Sequence, residues 1–334
     1  MKAYALTSYR DGGTLEWLDV PRPTAGADQV VVEVRAAGLN PLDRMVAAGQ
    51  FRQLIPYRLP LVLGQELAGV VTEVGPKVHD VAVGDRVFAR PDINRIGTFT
   101  EAIAVDVADT APMPAGLSFA EAASLPLVLL TAVQAFTEKA QVRPGDKVFV
   151  QGGTGGLGSV AVQVAKHLGA TVATTVSTSN VELARSLGAD VVVDYRTQRY
   201  EDHVKDYDVV LDTLGRDETL RSMKVLRSGG TMVSVAGAPD PELAAQLGRP
   251  FLGPVMWLMS RRARRAARAQ DAMYRFLFMR ADGSQLARLT PAIEAGSIRP
   301  LVGHTFELGQ LEQAMALLAS GKANPGKIVV EAKP

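Results

Sequence analysis

Two rhythms of apolar residues divide the chain. Through about residue 110, short β-branched runs alternate with turn formers. Gln29 to Arg35 (QVVVEVR) and Leu67 to Val74 (LAGVVTEV) read as strands, and Gly84-Asp85 forms a turn ahead of the strand Arg86-Val87-Phe88-Ala89. That spacing predicts a compact β-rich barrel. Near Ser118 the rhythm changes. Ser118 to Glu121 (SFAE) has the spacing of a capping box, and strands then alternate with helix-length segments. Strands are predicted over 147–151, 171–176, 190–194, 208–213 and 231–236, which implies βαβ crossovers and a parallel sheet. After residue 298 the pattern is short and mixed again. Leu308 to Ser320 predicts an amphipathic helix with Leu311, Met315, Leu317 and Leu318 on its apolar side. Gly321 follows as its C-cap, and Lys327 to Glu331 (KIVVE) reads as a last strand. No internal repeat or low-complexity stretch interrupts this order.

Composition narrows the picture. A chain of 334 residues, 47% apolar and 21% charged, fits two globular domains with ample cores. A formal net charge of +1 gives no field that would gather nucleic acid. With no cysteine, disulfides, thiolate nucleophiles and cysteine-ligated zinc or iron–sulfur sites are excluded. The opening Met1 to Leu6 lacks the apolar core of a secretion signal. No run reaches the roughly 18 apolar residues of a membrane span; the closest, Ala122 to Phe136, carries Ser124, Pro126, Thr131 and Gln134. A cytoplasmic location is the expectation.

The strongest chemical signal is Lys147 to Val172, KVFVQGGTGGLGSVAVQVAKHLGATV. Gly153, Gly155 and Gly158 satisfy G-x-G-x-x-G between a predicted strand and a helix carrying Val160, Val164 and Leu168 at helical spacing. Glycines there permit a tight turn and let the backbone approach a pyrophosphate, which the helix N-terminus attracts. The loop Gly152, Gly153, Thr154, Gly155, Gly156, Leu157 and Gly158 is therefore the candidate dinucleotide site. The end of the second strand reads Val176-Ser177-Thr178-Ser179-Asn180, with no carboxylate for a ribose 2′-hydroxyl. Ser177, Thr178 and Asn180, joined by Tyr195 after the next strand, instead suit a 2′-phosphate. NADP is expected over NAD, although Ser177 and Thr178 also fit as helix caps.

At this point the chain resembles the medium-chain dehydrogenase/reductase superfamily, and within it the zinc-independent quinone oxidoreductase branch. The resemblance is carried by AAGLNPLDRMVAAG (36–49), PLVLGQELAGVVTEVG (60–75), VGDRVF (83–88), GTFTEAIAV (97–105), EAASLPLVLLTAVQAF (121–136), the glycine loop, SLGADVVVDY (186–195) and NPGKIVV (324–330). It implies an α/β protein: a GroES-like β-barrel catalytic domain from 1–122, a Rossmann doubly wound parallel-sheet NADP-binding domain over 123–297, and a return to the catalytic domain over 298–334. It also implies a homodimer joined at the Rossmann edge strand, with Tyr274 to Met279 as that strand. Zinc-dependent relatives carry cysteine at the position of Asn40 and histidine at that of Gln65. The resemblance therefore points away from zinc, and His79, His167, His203 and His304 show no ligand-like pairing.

Without a Lewis acid, the chemistry implied is hydride transfer to a substrate already electrophilic: a quinone or an α,β-unsaturated carbonyl, small and hydrophobic. By family position, Asn40 would contact the nicotinamide ribose or substrate carbonyl, and Thr131 the nicotinamide. Val235, Ala236 and Gly237 would lie beside it, Phe276 and Phe278 in the edge segment would join the cofactor residues, and Lys327 would stand near its phosphate. Tyr57, in a variable segment, is the candidate proton donor. Each also has a structural reading: Asn40-Pro41 as a turn, Thr131 bonding its own helix, Tyr57 as packing, Lys327 as a solvated strand residue. Asp43, Glu66 and Asp85 read as carboxylates that hold the fold.

The stretch Phe251 to Arg268 (FLGPVMWLMSRRARRAAR) fits none of these roles. Arg261, Arg262, Arg264, Arg265 and Arg268 would share one helical face. A solvated face beside buried packing is the favoured reading; a membrane-surface or acidic-partner contact, and a lid placing Met256 and Trp257 against substrate, are alternatives. Two other functions remain open at this level: an enoyl-thioester reductase, and an NADPH-binding protein with a non-catalytic interaction role.

Overall fold

The computed structural model describes residues 1–332, Asp11's side chain excepted. The chain forms two compact units, residues 1–130 with 280–334, and residues 131–279.

The second unit holds a six-stranded, wholly parallel sheet in the order Val191–Asp194, Thr171–Val176, Lys147–Val150, Tyr207–Asp212, Leu226–Ser234, Met273–Phe276. Strand order thus reverses beside Lys147–Val150, the switch point of a doubly wound sheet. The sequence pattern placed the first five of these within two residues, except that Leu226–Ser234 starts five residues before the expected 231. The sixth strand, implied to run from Tyr274 to Met279, is Met273–Phe276; the Leu277 amide makes its last ladder bond to the Ser234 carbonyl (2.9 Å), where the neighbouring strand also ends. Apolar side chains of Phe149, Ala173, Val210 and Met232 fill the core, joined by Ala263, Ala267 and Tyr274.

The first unit is β-rich. One sheet runs Val302–Glu307, Lys327–Glu331, Gln29–Leu39, Leu67–Val74, Arg86–Ala89, Thr110–Pro112, with Ala102–Asp106 also pairing with Gln29–Leu39. A smaller sheet joins Thr14–Asp19, Lys2–Ser8 and Leu61–Val62. The capping box forms as expected: Ser118 Oγ accepts from the Glu121 amide (3.2 Å) and Glu121 Oε2 accepts from the Ser118 amide (2.8 Å). The final helix is Leu311–Ala319, a tighter turn occupying 308–310, and Gly321 beyond it has φ +68°.

The unit boundaries differ from the expected 122/123 and 297/298. The reason is packing outside the sequence periodicity. Helix Gly283–Glu294 belongs to the β-rich unit: a Cβ on Gly283 would lie 2.0 Å from the Thr110 carbonyl oxygen, and Glu294 Oε1 accepts from the Ala115 amide (2.8 Å). At the other boundary, the Leu127 amide donates to Glu66 Oε2 (2.7 Å), which holds the first turn of helix Pro126–Val133 to the same unit. No helix among the described residues is long and apolar enough to cross a membrane.

Candidate functional site

In a parallel sheet all strands end on one side, so the residues following them gather along one edge. In the second unit that edge carries the glycine loop, Ser177 to Asn180, Tyr195, Val235 to Gly237 and Phe276 to Phe278, each directly after or at the end of its strand.

The loop's geometry separates its glycines by task. Gly152 has φ +64°, which favours glycine, and its carbonyl accepts the Gly155 amide (3.0 Å) to close the turn. A Cβ on Gly153 would meet Thr174 Oγ1 at 2.1 Å, and one on Gly158 would meet the Gly152 carbonyl oxygen at 2.0 Å. Those two positions are closed by the fold itself. Gly155 has ordinary φ (−75°), and a Cβ there would find only the Gly152 oxygen, at 3.4 Å. It is the N-cap of helix Gly156–His167 and has no side-chain cap, so the first-turn amides of Gly156 and Leu157 stand at a half-exposed helix end. Thr154 is buried, and its Oγ1 accepts from Asn180 Nδ2 (3.2 Å), tying the loop to the end of the second strand.

One sequence expectation is corrected here. No carboxylate follows the second strand in sequence, but Val176 is the register partner of Asp194. Thr178 Oγ1 donates to Asp194 Oδ2 (2.7 Å), so Thr178's proton is already committed. Thr178 and the Arg196 amide (3.0 Å to Oδ1) hold the Asp194 carboxyl below its usual range, hence ionised. Ser177 is buried with its Oγ 3.3 Å from Ser179 Oγ, and Tyr195 is 55% exposed. At the fifth strand, buried Asp212 accepts from Ser234 Oγ (2.7 Å), Thr219 Oγ1 (2.6 Å) and the Gly215 amide (2.8 Å). Ser234 Oγ in turn accepts from the Gly237 amide (2.8 Å), fixing the turn Val235–Ala236–Gly237. The Phe276 amide donates to Asp240 Oδ2 (2.9 Å), and the Phe278 carbonyl accepts from Gln246 Nε2 (2.7 Å). Thr131 is buried within helix Pro126–Val133.

The first unit gathers a different set. Lys327 Nζ donates to Glu66 Oε1 (2.5 Å) and Asn40 Oδ1 (2.5 Å), and Asn40 Nδ2 donates to the same Glu66 oxygen (2.8 Å). All three side chains are buried. Gly38 admits the carboxylate, since a Cβ there would lie 2.3 Å from Glu66 Oε1. Lys327 is therefore neither a solvated strand residue nor, in this arrangement, a free cation awaiting a phosphate: its charge is spent on Glu66. Sequence reading missed this because residues 40, 66 and 327 meet only where strand Lys327–Glu331 pairs with Gln29–Leu39.

Asp43 caps the same corner, accepting the Asn40 amide (2.8 Å). Burial pushes its carboxyl from 3.8 up to about 7, against the opposing influence of the Asn40 amide and Lys327. Folded Asp43 thus keeps its proton through a window in which the unfolded residue loses it. Stability from this group falls as pH rises from about 4 to about 7 and levels off above, with a slope of at most about 1.4 kcal/mol per pH unit. Urea melts across that range should show a flatter pH dependence for Asp43→Asn than for wild type; parallel profiles would contradict the assignment.

Tyr57 donates its hydroxyl proton to the Ile93 carbonyl (2.7 Å), and burial raises its pKa above the ordinary phenol value. Both facts oppose the expected role as proton donor. Nearby are groups that sequence reading passed over. Arg90 is 1% exposed and forms no ion pair among the described residues. Its Nη1 donates to the Pro91 carbonyl (2.7 Å) and its Nη2 lies 3.5 Å from Gln65 Oε1, but its Nε has no partner. Gln65 Nε2 and Thr98 Oγ1 are likewise buried without partners. The signal available was an arginine closing the apolar strand RVFA. Asp85, as expected, serves a turn, accepting the Ala82 amide (2.8 Å). No three histidine, aspartate or glutamate side chains among the described residues are grouped to hold a metal ion.

Residues 26–115 match the family described as alcohol dehydrogenase GroES-like domain, and residues 187–330 match zinc-binding dehydrogenase. The chain is 34% identical to 2-methylene-furan-3-one reductase of Solanum lycopersicum, an alignment covering 100% of this chain and 80% of that protein. It is 33% identical to the chloroplastic NADPH-dependent alkenal/one oxidoreductase of Arabidopsis thaliana, covering 99% and 79% respectively. Among solved structures, the quinone oxidoreductase from Coxiella burnetii superposes with a TM-score of 0.86 at 28% identity, covering 100% of this chain and 99% of that one.

Proposed function

The chain belongs to the medium-chain dehydrogenase/reductase superfamily, and we propose that it is an NADPH-dependent reductase of quinones or α,β-unsaturated carbonyl compounds. The observation that carries this reading is the glycine turn at the sheet's switch point, where Gly155 leaves open the space a side chain would fill while Gly153 and Gly158 are packed shut. That cradle fits a pyrophosphate. Amides at the start of helix Gly156–His167 would receive its oxygens, favoured by the helix dipole. Ser177 and Tyr195 would flank the adenosine 2′-phosphate. Asp194 stays ionised, with one carboxylate oxygen bonded to Thr178 Oγ1 and the other to the Arg196 amide. Thr131, Val235 to Gly237, Phe276 and Phe278 would border the nicotinamide end.

Bound NADPH supplies a hydride. The chain's part is to bind, orient and stabilise charge. As the substrate is reduced, negative charge grows on its carbonyl oxygen, and preorganised buried donors are the groups suited to hold it. Tyr57's hydroxyl is bonded to the Ile93 carbonyl and its pKa is raised, so water is the proposed source of the proton that completes reduction.

The reading includes independence from zinc, motivated by the absence of cysteine and by Gln65 at the ligand position. It also includes a homodimer joined through strand Met273–Phe276, which among the described residues pairs with Leu226–Ser234 alone and has its other edge open. A cytoplasmic location completes it. NADPH oxidation followed at 340 nm with 1,4-benzoquinone and a medium-length 2-enal, in excess EDTA and with NADH in parallel, tests the whole. Turnover that prefers NADPH and ignores EDTA is expected. Loss of activity in EDTA would contradict the zinc-free reading, and tight NADPH binding without turnover of either acceptor class would contradict the reductase.

A further inference from the structure

Among the described residues, eleven large apolar side chains are exposed, and five of them fall within nine residues: Phe251, Val255, Trp257, Leu258 and Met259, each between 47% and 74% exposed. Isolated exposed apolar residues need no explanation, but such a concentration does. Met256 alone in this segment turns inward and is buried, which sets it apart from the exposed Trp257 beside it. An apolar groove of about 360 Å³, lined by Pro241, Gly253, Pro254 and Trp257, continues the patch.

Helix Arg261–Ala269 follows at once. Ala263 and Ala267 face down into the core beneath the sheet, while Arg261, Arg262, Arg265 and Arg268 are exposed. Of these only Arg262 has an acidic neighbour, the exposed Asp217 at 3.7 Å, a pair that solvent weakens. No acidic residue occurs from Phe251 through Gln270. Arg264 has a different task. Its Nη2 donates to the Trp257 carbonyl (2.8 Å), its Nε to Ser260 Oγ (3.1 Å), and its guanidinium lies 4.8 Å from the Trp257 ring centroid. It pins the tryptophan at the junction of the apolar patch and the basic helix.

We propose that Phe251–Arg268 is a docking surface for an anionic lipid bilayer. The apolar side chains would enter the boundary between headgroups and acyl chains, and the arginines would meet lipid phosphates. Charge complementarity selects this occupant. A second copy of the chain seated on the same stretch by two-fold symmetry would bring no acidic residue to meet the arginines. A nucleic acid would engage the arginines and leave five apolar side chains in water. A tryptophan at the junction is the residue suited to a boundary that is apolar on one side and wet on the other. The surface is independent of the reaction assigned above, though it would bring a lipid-soluble quinone or alkenal to the enzyme.

The test uses the full chain and vesicles of phosphatidylcholine with phosphatidylglycerol at about 3:1, against phosphatidylcholine alone, by co-sedimentation at two salt concentrations. Wild type should sediment with the anionic vesicles, less at high salt. Replacing Arg261, Arg262, Arg265 and Arg268 together by Gln should weaken binding by at least about tenfold, with turnover of a water-soluble acceptor unchanged. In a Trp17→Phe background, anionic vesicles should shift Trp257 emission to the blue, a readout that needs no surface variant to fold. Equal binding to neutral vesicles, an unaffected quadruple variant, an unmoved Trp257 emission, or binding confined to RNA or to a second copy would each overturn the proposal.

Discussion

Replacing Gly155 by valine is expected to weaken NADPH binding by about 100-fold or more while leaving the melting temperature nearly unchanged. The backbone at Gly155 has φ −75° and ψ 174°, values that valine accepts readily. Its Cβ would touch only the Gly152 oxygen, at an ordinary 3.4 Å. The side chain would instead occupy the cradle at the start of helix Gly156–His167 and keep a phosphate from the first-turn amides. Losing two charge-assisted hydrogen bonds of about 1.5–3 kcal/mol each accounts for the size of the effect. Gly158→Ala is the companion measurement. Its Cβ would lie 2.0 Å from the Gly152 oxygen, so stability and binding should fall together. Isothermal titration with NADPH alongside thermal melts separates the cases. Unaltered affinity in Gly155→Val would remove the loop from the cofactor site.

Lys327→Met is expected to cost about 3–5 kcal/mol of folding stability, because it strands the buried Glu66 carboxylate. Glu66 would keep its bonds from Asn40 Nδ2 and the Leu127 amide but lose its only cationic partner within salt-bridge reach among the described residues. Adding Glu66→Gln should recover much of the loss, since no charge would then be left buried. A lysine that mainly served a cofactor phosphate predicts the reverse: weaker NADPH binding, little change in stability, and no rescue. Denaturant unfolding of the single and double variants, paired with NADPH titration, decides between the two.

The sequence carried more of the fold than of the first unit's chemistry. The strands of the parallel sheet were legible because each is a short apolar run between turn formers, and the glycine loop because its spacing falls between a strand and a helix. What escaped depends on contacts between residues far apart in the chain. Asp194 reaches Thr178 through strand register, not sequence proximity. Lys327 reaches Glu66 across 261 positions. The early start of Leu226–Ser234 was hidden by Gly229 and Gly230, which break the apolar pattern where the strand is irregular, Gly229 having φ +75° and the register shifting between Leu226 and Thr231. Helix Gly283–Glu294 lies with the β-rich unit through contacts to Thr110 and Ala115, more than 160 positions away, which no local pattern announces. Tyr57 offered a plausible acid by residue type, and its bond to the Ile93 carbonyl, 36 positions away, could not be read from the sequence.

The two units also differ in when they can be completed. Residues 131–279 are contiguous, whereas the β-rich unit needs both 1–130 and 280–334. Strand Lys327–Glu331 lies between Val302–Glu307 and Gln29–Leu39 and delivers the lysine that neutralises Glu66. During synthesis the sheet Gln29–Leu39 forms with Leu67–Val74 must therefore wait with one edge open and a carboxylate without its counter-charge until nearly all the described chain has left the ribosome. The dinucleotide unit can fold meanwhile. A nascent chain halted shortly before residue 327 should hold a finished parallel sheet beside an unfinished, chaperone-dependent neighbour.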